Sequence, residues 1–391
     1  MAYYSIFPEK DTTIYSHPDR KDMNTGRDEI LELVEEKSTT GNIYYASRIL
    51  IKFKNLDIKD VIENKLSPGK IINPNLNDVK VSLNLYAGEN KQLTQGHIIE
   101  AFPLSQSFEE GTQRYTATPP SVTSGSTQAA DGATWVYRTE LTSSAWPTSN
   151  FGNGATGSYA LQAGGGVWYT GSAFRAEQSF FADDDLDIDL DVTNIVQKFS
   201  ASYYQSAEYP TGLTNNGFIL KKPFDIEEDG LGFGELQYFS LDTHTIYPPK
   251  LTFKWDDSSY SIGSGTLLNS GDIFLSLHNN KSVFQRKSKQ RFRLTTRKRY
   301  PDRTFVTSSN FLDTQYLPQT SYYSVRDAET DEIIIPFDTS YTKLSADNDG
   351  MFFDLWMEGL QPERFYKLMF RSDNNDGIQI FDEDYIFKVI R

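Results

Sequence analysis

The chain has no cysteine in its 391 residues, which excludes a disulfide framework, a thiol nucleophile and any cysteine-type zinc site. Whatever stabilises it is core burial or assembly. Histidine is scarce as well: His17, His97, His244 and His278 are scattered, and none sits in a His-Glu-x-x-His arrangement. No Gly-x-Ser-x-Gly elbow exists. The triple glycine at 164–166 has no following Gly-Lys-Ser/Thr and fits no dinucleotide fingerprint, so turns between strands explain it better. With 53 Asp and Glu in the chain, any pair of carboxylates is uninformative about hydrolysis. The expectation is a protein that is not an enzyme and carries no cofactor or metal. No run approaches the roughly 18 apolar residues of a membrane span, and residues 1–10 lack the basic and apolar regions of a signal peptide. A chain made in a cytoplasm with no membrane partner is expected.

Long helical periodicity is also missing, and only residues 27–37, 57–65 and 192–203 are candidates for one to three helical turns. What is abundant is aromatic: 26 Phe and 23 Tyr, residues that suit sheet surfaces. An all-β protein follows. Its organising stretch is 250–257, where Leu251, Phe253 and Trp255 alternate with Thr252 and Lys254 as in a strand with one buried face. After it, 258–271 is rich in Ser and Gly and reads as a linker. Two β-sandwich modules are therefore expected, 1–257 and 272–391. Residues 257–391 carry 17 Lys and Arg against 19 Asp and Glu, whereas the remainder carries 21 against 34. The first module is strongly acidic and the second nearly neutral, which argues against nucleic acid as a partner.

In the first module, 48–53 (Arg-Ile-Leu-Ile-Lys-Phe) and 79–86 alternate as strands, the former with Ile49, Ile51 and Phe53 on one face and Leu50 opposite. Trp135, Trp146 and Trp168 stand among small polar residues, a composition compatible with a sugar-stacking platform or with ordinary core. Asp185, Asp187, Asp189 and Asp191 alternate with Leu186, Ile188 and Leu190. Their spacing lacks the Gly and distal Glu of an EF-hand, so a solvated face that deters edge pairing is favoured over calcium.

The second module offers seven strands: 273–277, 290–296, 322–326, 332–335, 352–357, 365–371 and 385–390. That number over this length fits an immunoglobulin-like or fibronectin-type sandwich. In 360–368 the pattern Leu-x-Pro-x-x-x-Tyr-x-Leu makes Tyr366 a structural corner residue. Between Arg286 and Arg303 lie nine basic residues, among them Lys289, Arg291, Arg293, Arg297, Lys298 and Arg299. They are read as an interface for an acidic partner, or as an exposed strand protected by charge.

Taken in order, Asp11-Thr12-Thr13-Ile14, Asn24-Thr25-Gly26, the runs 48–53 and 81–86, Phe108-Glu109-Glu110-Gly111, and the runs 191–199, 215–221 and 249–253 resemble the DNRLRE-type jelly-roll domain. That domain is a β-sandwich related to carbohydrate-binding modules and common in secreted and virion proteins. The resemblance covers most of 11–255, with an insertion at about 112–182. The runs 321–338, 342–345 and 354–364 resemble the C-terminal region of virion structural proteins of contractile-tailed bacteriophages of the marine, T4-like (cyanophage) kind. These resemblances imply an N-terminal jelly-roll followed by an Ig/fibronectin III-like sandwich. They also imply a non-enzymatic structural protein of the virion, made in the host cytoplasm, at the tail, baseplate, neck or capsid exterior. Its partners would be other virion proteins, in multiple copies within a symmetric assembly. The alternative they imply is a carbohydrate-binding module attaching the particle to host or environmental glycan.

Overall fold

A computed structural model of the chain describes residues 2–37, 44–76, 78–91, 96–115, 131–139, 144–146, 164–181, 184–201, 212–223, 226–227, 234–300 and 314–391. Strand dominates throughout, so the protein is all-β with sandwich architecture. It divides into two compact units: Ile6–Lys65 with Ile71–Thr252, and Phe253–Arg391 with Met1–Ser5 and Leu66–Lys70. The division falls inside the strand Lys250–Trp255.

The larger unit is built on an eight-stranded sheet. Its order is Ala176–Phe181, Gly96–Pro103, Phe218–Lys221, Tyr44–Phe53, Ile30–Lys37, Gly234–Phe239 and Ala87–Lys91, with Pro8–Tyr15 also paired to Tyr44–Phe53. A second layer holds Lys250–Trp255, Val79–Leu85 and Ile188–Asp191 as hydrogen-bonded neighbours. Tyr44–Phe53 is the hub. Ile49, Leu50, Ile51 and Phe53 are all fully buried, so Leu50 packs into core on its side just as its neighbours do on theirs, as an unbroken aliphatic run demands.

Residues 27–37 are not helical, contrary to expectation. Ile30–Lys37 is a strand whose inward residues are Leu31, Leu33 and Glu35, a period of two. The buried Glu35 carboxylate is met by Lys222 Nζ at 3.6 Å, which is how a charge survives at an inward strand position. The other two helical expectations correspond to Asn55–Asp60, continued by a π-type turn over Val61–Lys65, and to Thr193–Ala201. Residues 202 and 203 of the last, Arg303, and much of the expected insertion (116–130, 140–143 and 147–163) lie outside the described residues.

The smaller unit contains all seven expected strands in two sheets. One joins Ile273–His278, Lys289–Lys298, Gly350–Trp356 and Ser345–Asp347, with Gln315–Tyr316 and Thr266–Leu267 added. The other runs Val283–Gln285, Gly377–Ile390, Arg364–Asn374, Ser321–Asp327, Ile333–Ile335, and its first pair is parallel. This partition of strands is that of an immunoglobulin-type sandwich. Phe292, Phe353 and Tyr323 stack at its centre, with centroids 5.2 and 4.5 Å apart. Residues 258–271, expected as a linker, are built into this unit: Ser261 N–H donates to Ala346 O, Thr266–Leu267 pairs with Gln315–Tyr316, and Leu268 joins the core. Tyr260, Ile262 and Leu268 supply the anchoring apolar groups that the Ser/Gly-rich average conceals.

Tyr366 is a tyrosine corner. Its ring is buried, and its hydroxyl donates to Gln361 O at 2.8 Å, pinning the loop that feeds Arg364–Asn374. Replacing Tyr366 by Phe leaves that carbonyl unpaired, and equilibrium denaturation is expected to show a loss of about 1–2 kcal/mol. A variant as stable as the parent would mean the hydroxyl anchors nothing.

Candidate functional site

The three tryptophans come together, but not as a platform. Trp135, Trp146 and Trp168 are 2%, 2% and 5% exposed, in one cluster with Ile14, Leu50, Phe102 and Ile219. The Arg48 guanidinium lies 4.8 Å from the Trp135 ring and 5.2 Å from Trp168. Gly165 sits against both Arg48 and Trp135: a Cβ on it would come within 2.6 Å of Arg48 Nη1 and 2.7 Å of the Trp135 ring, and its φ is +77°. The triple glycine is therefore a close backbone approach that closes this cluster. No ring face remains for a pyranose, which corrects the sugar-stacking expectation: what looked like isolated aromatics in polar surroundings is a second core laid over the hub strand.

Arg48 also anchors a buried ionic network. It donates to Glu227 through Nε (3.0 Å) and Nη2 (2.7 Å) and to Gly165 O through Nη1 (2.7 Å). Lys221 Nζ lies 3.5 Å from Glu227 and 3.8 Å from Glu100, and Arg175 reaches Glu100 at 2.7 Å. Burial alone would raise the Glu227 carboxyl, but Arg48 and Lys221 hold it below its usual range. Sequence reading passed over this network because its members are 179 and 117 residues from Arg48 along the chain. Glu227→Gln leaves the guanidinium buried without its counter-charge, and a loss of about 3–5 kcal/mol in unfolding free energy is expected.

The aspartate row acts as a set of local acceptors. Asp185 accepts from Asp187 N–H, Asp187 from Ala87 N–H, Asp189 from Asn84 Nδ2, and Asp191 from both N–H and hydroxyl of Thr193 at the start of Thr193–Ala201. Asp11 is a different case. It is buried, accepts from Leu241 N–H at 2.7 Å, and donates its own N–H to Glu110. Burial, with Glu110 and Asp242 close by, pushes its carboxyl up to about 8. The folded chain thus keeps a proton that the unfolded chain releases near pH 4, so this group lowers stability as pH rises from there to about 8. Asp11→Asn keeps an acceptor for Leu241 and removes the titration. Stability measured from about pH 5 to 8 should consequently fall less steeply with pH in the variant than in the parent.

The basic strand Lys289–Lys298 is central in its sheet, not an edge, with Ile273–His278 on one side and Gly350–Trp356 on the other. Its charges therefore guard no edge, and most are spent within the face. Arg291 grips Asp354 and Arg293 grips Asp347, each through two bonds of 2.8–3.0 Å, and Lys289 lies 3.2 Å from Asp354. Arg297 covers Phe274 at 4.7 Å, and Arg299 is 3.9 Å from Glu383. Lys298 is exposed at the strand's end. Five of the six cations read as an interface, all but Lys298, take part in ion pairs or cation–aromatic contacts within the unit.

A surface that sequence reading missed lies on the other sheet. Six of the twelve exposed large apolar side chains among the described residues share its outer face: Val283, Ile333, Phe365, Ile378, Ile380 and Ile386, between 40% and 64% exposed. Register places them there. Phe284, Tyr366, Phe381 and Phe387 point into the core, so their neighbours point out; Val283 and Phe365 both flank Lys388, and Ile333 faces Arg326. Between them sit paired cations: Lys388 with Glu363, Lys367 with Asp382 and Asp384, Arg371 with Asp373, Arg326 with Asp331. The signal was present in Ile378 and Ile380, two aliphatics alternating with Gln379 and followed directly by Phe381, which takes the opposite, inward face.

The cleft bounded by Tyr15, His17, Arg20, Glu36 and Tyr45 has room for about one water, so the outer sheet face is the stronger candidate. No helix among the described residues is long and apolar enough to cross a membrane. No family model matches this chain, and no curated protein matches it either.

Proposed function

We propose that the chain is a non-enzymatic structural protein of a bacteriophage virion, working by protein–protein assembly. The observation that carries the assembly half of this reading is the outer face of the five-stranded sheet. A folded sandwich whose core is already filled by Phe292, Phe353, Tyr323 and Phe387 still keeps six large apolar side chains in water on one face, and such clusters mark contact surfaces. The virion half rests on the resemblance of 321–338, 342–345 and 354–364 to the C-terminal region of virion structural proteins of contractile-tailed bacteriophages. Repetition in a symmetric particle multiplies a modest contact, so each copy needs only a small apolar face.

The test is antibody labelling and mass spectrometry of purified particles from a phage whose genome encodes the chain. Label on intact particles supports the reading; a chain found only in the lysate after particles are removed overturns it. In the same system the double variant Ile378→Ser, Ile380→Ser should keep its unfolding free energy within about 0.5 kcal/mol, because both side chains are already in water, while its incorporation into particles drops. Unchanged incorporation would show that this face is not used.

A further inference from the structure

We infer that the strand Ala2–Ile6 is exchangeable: the place it fills in the smaller unit takes the same strand from a second copy of this chain. The inference concerns a different surface from the assembly reading above and does not rest on it.

Residues 1–5 belong to the compact unit formed by Phe253–Arg391, while the chain from Ile6 onward belongs to the other unit. A sandwich otherwise built from residues far along the chain is thus completed by one short extended segment. Its attachment is specific. Tyr3 is part of the smaller unit's core, together with Tyr323, Phe353 and Leu355. Tyr4 is buried as well and meets the Trp356 ring edge-on at 6.3 Å. Gly359 leaves room for the strand to close: a Cβ there would lie 3.1 Å from the Ser5 nitrogen and 3.6 Å from the Tyr4 Cα.

The backbone of Ala2–Ile6 is a hydrogen-bonded neighbour of Lys250–Trp255. Without it, the stretch Phe253–Trp255 presents an open edge with a row of unpaired N–H and C=O groups. Such an edge is a receptor for an added strand: main-chain bonds hold the strand, and pockets for its side chains select it. Here the selected pattern is two consecutive aromatics, Tyr3 and Tyr4, followed by the small Ser5.

The connection favours release. Only Phe7 separates Ala2–Ile6 from the next strand, Pro8–Tyr15, and a short hinge between an element and the rest of its chain invites exchange between copies. Proline at position 8 biases Phe7 towards extended backbone, the conformation that carries a strand away from its own body and towards another. The exchanged strand makes the same side-chain and backbone contacts in the second copy as in its own. Closed and exchanged forms therefore differ chiefly in the entropy of association, and concentration decides between them.

The lack of cysteine makes a direct test possible on the full chain. Ser5 is buried and differs from cysteine by one atom, and Gly359 is not among the glycines with positive φ, so both positions accept a thiol. Chains carrying only Ser5→Cys are mixed with chains carrying only Gly359→Cys over a series of concentrations, oxidised with glutathione disulfide, and resolved by mass spectrometry. A disulfide between unlike chains is expected, and its yield should rise with concentration, because the buried Ser5 position meets Gly359 of another copy only when the strand has moved across. Both substitutions in one chain should close a disulfide within that chain at low concentration; a double variant that stays reduced puts Ser5 away from Gly359 and overturns the placement. Adding Tyr3→Ala to the Ser5→Cys chain loosens the strand's hold on the core and should speed the mixed disulfide by about tenfold or more. Leu56→Asp, at an exposed position of the larger unit, should leave the rate unchanged. No mixed disulfide under conditions where the double variant closes, or a rate indifferent to Tyr3, overturns the inference.

Discussion

A β-sheet has two faces, and a sandwich covers only one of them. What each sheet does with its second face governs the rest of this molecule. In the larger unit, residues from the long segment around Trp135, Trp146 and Trp168 fold back over the hub strand, so that Leu50 and Ile219 are as buried on that side as Ile49 and Ile51 are on theirs. Among the described residues of the smaller unit, neither outer face receives such a cover. One is dressed with ion pairs and cations layered on Phe352, Phe274 and Trp356. The other keeps isoleucines in water.

The added cover in the larger unit has an electrostatic consequence. It takes Arg48 out of solvent, and a buried guanidinium requires both a counter-charge and acceptors for its remaining donors. Glu227 meets the first need and Gly165 O the second, while the rings of Trp135 and Trp168 lie 4.8 and 5.2 Å from the guanidinium. Lys221, Lys222, Glu35 and Glu100 extend the same principle, so the acidic unit holds much of its internal charge as pairs. Asp11 is the exception: with carboxylates rather than cations nearest, it stays protonated into the neutral range.

Local pattern carried much of the architecture. Strict alternation identified strands in 251–255 and 290–296 and the buried face of the second, though Thr252 is buried on the face expected in solvent, and the Leu-x-Pro-x-x-x-Tyr-x-Leu spacing identified the corner at Tyr366, because each of these depends on neighbours within ten residues. Where alternation was ambiguous, reading faltered. In 30–37 the acidic side chains hid a period of two whose third inward member, Glu35, is tolerable only because Lys222 arrives from 187 positions away. In 258–271 a composition average masked three anchoring side chains. The basic run was legible as charged and outward-facing, but its partners Asp347 and Asp354 belong to two strands, Ser345–Asp347 and Gly350–Trp356, that only sheet formation brings near.

By itself the amino-acid order determined the class of the protein: all-β, without thiol chemistry, with inward residues at every second position of its strands and a tyrosine-pinned corner. These follow from backbone geometry and from composition, which act over a few residues. Which tryptophans are covered, which cations are already paired, and which isoleucines remain in water were decided only by the tertiary structure. Each depends on the register between strands far apart in the chain, and a shift of one residue in that register exchanges the buried face of a strand for the exposed one.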